Sequence, residues 1–478
     1  MNLRIVLVAP VLLAVAGCTV GPKAEPPQAR VAEAWSQPLP SGLAADPADL
    51  SAWWTTFNDP VLTSLIDRAI ATNLDLRAAT SRVREARAAR GLVTADRLPA
   101  VEARGSASLR HSSDTSNGGP GGAPGDTNDS YDVGFDATWE LDLFGRVRRS
   151  VDAADADLAA SVESLRDARV VLVAEVARAY VDLRSAQARL DIARQNARVQ
   201  QQTLDLSAER RRAGLGTDLD VARARAQLET IHAQIPPFET ARQQAQHRLD
   251  VLLGQLPGTL AAELDAPSPV PSSPDALAVG LPADLLRRRP DIRRAERQLA
   301  AAAARVGVAT ADLYPRFTLS GSFGLESGEL GTLFEARSNA WSVGPLSVRW
   351  PIFDGGRVRA ALRVQEARQE LACLAYEAAV LASHQDVADA LVAYAQVRTR
   401  RDTLARALQA DRQAVDLASD LWSRGLTGFL DVLDAQRALF LVQDQLAAAD
   451  AEAATSLIAL YKALGGGWEA PQTAAASP

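Results

Sequence analysis

Along residues 131–141, "YDVGFDATWEL", apolar and polar positions alternate without a break. Tyr131, Val133, Phe135, Ala137, Trp139 and Leu141 fall on one side, and Asp132, Gly134, Asp136, Thr138 and Glu140 on the other. Side chains of a strand alternate faces, so the stretch predicts a strand with one apolar and one wet face. About eleven residues is also the length of a strand that crosses a bilayer at a tilt. The alternation recurs over 316–325 (Phe317, Leu319, Gly321, Phe323, Leu325) and over 341–352 (Leu346, Val348, Trp350, Ile352), where Gly344-Pro345 predicts a bulge. A weaker strand is expected at 100–109. Between it and the strand at 131 lies "HSSDTSNGGPGGAPGDTNDS", with the composition of an exposed outer loop.

Elsewhere the period is helical. Helices of moderate length are expected at about 60–97 and 285–313, very long ones at about 146–212 and 357–424, and further ones at about 217–254 and 429–464. A helix rises 1.5 Å per residue, so the long ones run to roughly 100 Å, too long for a compact globule. Leu172, Val176, Ala179, Leu183, Ala186, Leu190, Ala193 and Ala197 step by four and three, as do Ala367, Leu371, Leu374, Ala378 and Leu381. That is the period of supercoiled packing. Each long helix and the helix after its glycine turn form an antiparallel hairpin. Asp59 and Pro60 supply an N-cap and a first helical residue.

The chain is one unit written twice. "GLVTADRLP" at 91–99 returns as "GVATADLYP" at 307–315, and "WELDLFGRVR" at 139–148 returns as "WPIFDGGRVR" at 350–359. "AGLGTDLDVARARAQL" at 213–228 returns as "RGLTGFLDVLDAQRAL" at 424–439. The offset is 216 before the β-hairpin and 211 after it. The fold class is therefore α+β and mostly α, as two tandem repeats of helix, β-hairpin, long helix and helix.

Composition narrows the function. A net charge of −7 and a pI near 5.4 argue against a nucleic-acid partner. Beyond the N-terminus no apolar run approaches the length of a membrane helix, so a membrane would be crossed by strands. "MNLRIVLVAPVLLAVAGC" has the charged start, apolar stretch and small residues of a secretory signal, and Val15-Ala16-Gly17-Cys18 resembles a bacterial lipobox. Cys18 is the expected lipidation site, and with Thr19 rather than Asp after it the lipobox resemblance implies sorting to the outer membrane. Cys373, the other cysteine, reads as a small core hydrophobe. Four strands cannot stand open in lipid and cannot close on themselves, whereas three chains supply twelve. The apolar face of 131–141 then meets lipid, and Asp132, Asp136 and Glu140 line water, with a cation preference that Arg104 and Arg349 oppose. His111, His232, His247 and His384 show no metal-ligand spacing, and no P-loop or GxSxG pattern occurs, so neither metal, cofactor nor catalytic residue is expected.

Together the lipobox, "WWTTFNDP", "WELDLFGR", "LPADLLRRRPDI", "RGLTGFLDVLDAQRALF" and "LYKALGGGW" resemble the TolC-like outer-membrane factors, of the OprM/NodT lipoprotein subgroup. The resemblance implies a homotrimer: a twelve-stranded β-barrel in the outer membrane of a Gram-negative bacterium, continued by a periplasmic α-helical barrel. It also implies a periplasmic adaptor and an inner-membrane pump, of the RND type, that provides the energy. The parts would be a signal peptide (1–17), a lipidated strap (18–58), repeat 1 (59–254), a connector (255–284), repeat 2 (285–464) and a frayed tail (465–478). The basic cluster "LLRRRPDIRR" at 285–294 reads as a solvated helix start. By the family pattern the two glycine turns are the adaptor-contact tips: Arg212, Gly214, Leu215, Gly216 and Thr217 in copy one, and Arg424, Gly425, Leu426, Thr427 and Gly428 in copy two. Leu430, Asp431, Asp434 and Arg437 match the periplasmic aperture. Two plainer readings stand beside this one: Asp220 and Asp431 as helix caps, and Asp434–Arg437 as an i,i+3 ion pair. A closed aperture would be held by charges from copy one, with Arg211, Arg212 or Arg223 as candidates. The rival to a conduit is a lipid-anchored coiled-coil tether without a pore.

Overall fold

The computed structural model describes residues 19–22, 43–44, 46, 49–115, 125–272, 277–278, 280 and 282–469. Cys18 and the signal segment lie outside the described residues, as does most of the strap. The chain divides into two compact units, one of 1–28, 82–161 and 294–377, the other of 29–81, 162–293 and 378–478.

The first unit holds a four-stranded antiparallel sheet: β1 (Ala100–His111), β2 (Thr127–Leu141), β3 (Arg316–Ser327) and β4 (Asn339–Arg349), in that spatial order. The pairing keeps each expected face intact. Ala103, Phe135, Phe323 and Trp341 form one cross-strand row on the apolar side, and Glu102, Asp136, Ser322 and Ser342 form the adjacent row on the wet side. Val101, Phe135, Phe323, Trp341, Val343, Leu346 and Val348 are each more than half exposed, so the apolar side has no cover among the described residues. One extra residue of β4 is accommodated at Gly344-Pro345, opposite the step from Leu319 to Gly321, which is the expected bulge.

At the foot of the sheet the two copies repeat one device. The Trp139 indole donates to the Arg97 carbonyl at 3.1 Å, and the Trp350 indole to the Leu313 carbonyl at 3.0 Å. Each bond satisfies a carbonyl at a helix-to-strand turn. Asp142 then accepts from the amides of Val147 and Arg148, and Asp354 from those of Gly356 and Val358, opening the long helices α3 (Arg146–Arg212) and α7 (Arg357–Ser423).

The first helix of copy one is broken where a continuous one was expected, into α1 (Pro60–Thr72) and α2 (Leu74–Ala95). Asp59 caps α1, accepting from the Val61 and Leu62 amides. Asn73 ends α1 and caps α2 through the Leu76 amide at 2.9 Å. In copy two, Arg289 is extended before Pro290, as residues preceding proline are, and α6 runs over Pro290–Ala311. After the turn, copy one is split again, into α4 (Asp218–His232) and α5 (Ile235–Leu252), because Pro236 and Pro237 cannot continue a hydrogen-bonded helix. Copy two has Ala447 and Ala448 at that place, and α8 runs unbroken over Phe429–Ala463.

Two expectations fail for reasons visible in the packing. The basic cluster at 285–294 is not simply a solvated helix start: Arg289 is buried, bonded to Asp291 at 2.6 Å, Asp386 at 3.0 Å and the Ala463 carbonyl at 2.9 Å. Residues 465–468, expected in a frayed tail, are a packed clasp. The Gly467 amide donates to Leu50, and the Trp468 ring lies 4.6 Å from the Arg166 guanidinium and 5.2 Å from that of Arg293. Both arginines pair with the buried Glu163. Beside the clasp Trp53 stacks on Tyr461 with centroids 4.8 Å apart.

Candidate functional site

Copy one turns at Gly214, whose φ of 75° suits a residue without Cβ, after the Leu215 amide bonds back to Arg210 at 2.8 Å. Thr217 caps α4 reciprocally with Asp220, so the capping role weighed for Asp220 holds. Copy two repeats the turn at Gly425, φ 74°, with the Leu426 amide bonded to Leu421 at 2.9 Å. Asp431 accepts from the Gly428 amide at 3.2 Å and from the Thr427 hydroxyl, the same capping role. Leu215 (69% exposed) and Leu426 (70%) occupy equivalent places in the two turns, apolar side chains held out into solvent. Arg211 pairs with Asp218 at 2.7 Å inside its own turn, and this partner holds the Asp218 carboxyl below its ordinary range. Arg424 pairs with Asp420 at 2.9 Å. Arg212 is exposed.

The aperture candidates follow directly. Leu430 and Asp434 are exposed, while Phe429 and Leu433 turn inward onto Ala224 of copy one, together with Leu204 and Trp422. The i,i+3 pair between Asp434 and Arg437 does not form. Arg437 instead donates to the Gln227 side-chain oxygen at 3.2 Å, and Asp434 has no partner among the described residues. The arginines expected to reach across from copy one do not: Arg211 is engaged by Asp218, and neither Arg212 nor Arg223 reaches copy two among the described residues. The link runs the other way, from Arg437 to Gln227.

Three further ties join the copies here. Gln436 donates to the Thr203 hydroxyl at 3.2 Å, the Arg210 guanidinium lies 4.7 Å from the Trp422 ring, and Arg189 grips Asp444 with bonds of 2.7 and 2.8 Å. Partners more than 200 residues apart, such as Gln227 and Arg437, carry no short-range signal, and the spacing of charges missed them. Trp422 and Phe429, aromatics on either side of a glycine turn with ring centroids 5.2 Å apart, were the available cue.

On the sheet, Arg104 reaches Asp132 at 3.2 Å and Asp136 at 3.0 Å, and Arg146 holds Glu140 with two bonds of 2.7 Å. The three acids expected to line water are thus each paired. No cluster of metal-ligating side chains occurs among the described residues, and no described helix is long and apolar enough to cross a membrane.

A sheet with open edges and a bare apolar face, repeated helical hairpins and conserved turn geometry between the copies define an outer-membrane channel of the efflux class. The chain belongs to the outer membrane efflux protein family, whose model matches residues 65–255 and 281–466, one segment per repeat. It is 36% identical over 470 residues to the outer membrane protein OprJ of Pseudomonas aeruginosa, covering 96% of this chain and 95% of that one. It is 34% identical over 473 residues to the toluene efflux pump outer membrane protein TtgF of Pseudomonas putida, with 96% and 95% covered. The solved structure of the outer-membrane channel OprN superposes with a TM-score of 0.89 at 40% identity, covering 94% of this chain and all of that one. The protein is an outer-membrane efflux channel.

Proposed function

We propose that three copies of this chain form the exit duct of a tripartite efflux system, a passive conduit for substrates handed over by a periplasmic adaptor and an inner-membrane pump of the RND type. The observation that carries the reading is an asymmetry between the repeats. At equivalent places 211 residues apart, Ala160, Glu163 and Val170 of α3 are buried, whereas the seam of α7 is bare: Leu371 is 65% exposed, Leu374 54% and Leu381 69%. Together with the two unpaired sheet edges, this seam calls for neighbouring copies, and three give the twelve strands that a closed barrel requires. The tether reading leaves the lipid-suited face of the sheet without purpose.

In this reading the chain divides into strap, repeats, connector and tail, Cys18 carries the lipid anchor, and no cofactor takes part. The wet face bearing Asp132, Asp136 and Glu140 lines the lumen. Leu430 and Asp434 form rings at the periplasmic mouth, Asp431 caps the helix that bears them, and Arg437 holds that helix to copy one. The two turns, 212–217 and 424–428, meet the adaptor, with Leu215 and Leu426 as the apolar contacts. Like charges in a narrow ring repel, so an unpaired Asp434 favours opening, opposed by the ties between copies.

Reconstitution in a planar bilayer tests this reading. A conduit gives discrete current steps from the purified protein alone, without nucleotide or pump. A tether gives a silent bilayer at every protein concentration.

A further inference from the structure

Two pairs of like charges face each other across the strands on the wet side of the sheet: Glu102 opposite Asp136, and Asp132 opposite Glu326. Carboxylates placed directly opposite destabilise a sheet, so this arrangement works against folding unless something answers it. Arg104 stands among the four acids, in register with Gly134, Gly324 and Ala340. At Gly134 and Gly324 the two central strands approach too closely for a side chain. A Cβ on Gly134 would lie 2.6 Å from the Phe323 carbonyl oxygen and 2.7 Å from the Gly324 Cα, and one on Gly324 would lie 2.5 Å from the Val133 oxygen. The row of small residues leaves a hollow of 60 Å³, lined by Arg104, Asp132, Asp136, Ser322 and Glu326 among others. The guanidinium is held there from two sides, Nε to Asp132 at 3.2 Å and Nη1 to Asp136 at 3.0 Å, while the Ser106 hydroxyl donates to the other oxygen of Asp132.

Arginine keeps its charge at any working pH and presents a planar fork, so a guanidinium gripped by two carboxylates is a charge fixed in position. We propose that Arg104 is a specificity-determining residue of the channel wall: it sets how strongly the lumen prefers cations over anions. This rests on the reading that the wet face lines a conducting path. Four acids and one arginine leave each protomer with a net negative patch at this level, repeated around the lumen, so the wall attracts cations. Arg104 keeps that attraction below the value four bare acids would produce, and it makes two opposed acid pairs compatible with a paired sheet.

The experiment is the reversal potential of single channels under a potassium chloride gradient. The dilute side, about 0.01 M, is placed at the sheet end, because the Debye length there is about 30 Å and wall charges act across the lumen. Arg104→Gln shifts the reversal potential toward the potassium equilibrium value. Asp132→Asn with Asp136→Asn shifts it toward the chloride value, and Arg104→Lys stays near wild type. Turning the gradient round shrinks all of these shifts, because about 0.1 M salt at the sheet end shortens the Debye length to about 10 Å. Conducting channels whose reversal potential is the same in wild type and the double asparagine variant overturn the proposal, even where Arg104→Gln fails to assemble. A wild-type protein that never conducts overturns the conduit reading itself, a distinguishable result.

Discussion

The side-chain amide of Asn73 donates to the carbonyl of Leu252 at 2.9 Å, and at the same places in the second copy the Arg289 guanidinium donates to the carbonyl of Ala463 at 2.9 Å. The offsets are the 216 and 211 residues that relate the copies in sequence. Each bond ties the break in a repeat's first helix to the end of its last helix, so the same tie is built from two different side chains. Removing it costs differently in each. Asn73→Ala loses a cap and a tie, about 1–2 kcal/mol. Arg289→Ala also strips Asp291 and Asp386 of their partner and costs about 3 kcal/mol. Denaturant unfolding of the two variants ranks them, and equal losses would contradict the account of Arg289.

The ties between copies at the turns make a second expectation. Gln227→Ala and Arg437→Ala each remove the same bond, so both raise single-channel conductance, and the double variant adds little beyond either one. Asp434→Ala reduces the repulsion within the ring and acts in the opposite direction on opening. Unchanged current in all three would remove Arg437 and Asp434 from any part in closure.

The C-terminal clasp is tight. A Cβ on Gly466 would lie 2.9 Å from the Leu50 Cβ and 3.0 Å from the Trp53 ring. Gly466→Ala therefore forces Leu50 and Trp53 apart, at about 1–3 kcal/mol. Trp468→Ala removes a ring held between two guanidinium groups and costs about 2–3 kcal/mol. Both lower the melting temperature without moving any residue of the turns, so the channels that survive conduct as the wild type does.

Burial, then its hydrogen bond to Asp59, pushes the Tyr180 hydroxyl up to about 12 from its ordinary 10. The folded protein thus holds this proton more tightly than the unfolded chain. The stabilisation is complete below pH 10 and is lost as pH rises from 10 toward about 12, an effect on the order of 2 kcal/mol. Tyr180→Phe flattens that part of the alkaline stability profile and removes one late step from the ultraviolet titration of tyrosinate.

The strands, both long helices and both turns were legible in the sequence because each rests on local signals: strict alternation, sustained helical period, and glycine at a left-handed position. Asn73 ended a helix with a polar cap inside a helical pattern, and only its bond to Leu252, far along the chain, shows why. The stripes at 172–197 in α3 and 367–381 in α7 read alike, yet the first is buried by its own chain and the second is bare, since periodicity marks a packing face without naming its partner. Gly465–Gly466–Gly467 read as a frayed end by composition, whereas Gly465 serves close approach to Arg289, and Gly466 and Gly467 to Leu50 and Trp53. The Arg437–Gln227 bond crosses between repeats, and no spacing rule within one copy reaches it.

The mass of the detergent-extracted protein, with bound detergent subtracted, tests the central claim most directly. Twelve strands and a covered α7 seam require three chains, so the account predicts three times the mass of one. A monomer, in a detergent that preserves β-barrels, would leave both sheet edges and Leu371, Leu374 and Leu381 without partners and would contradict the conduit.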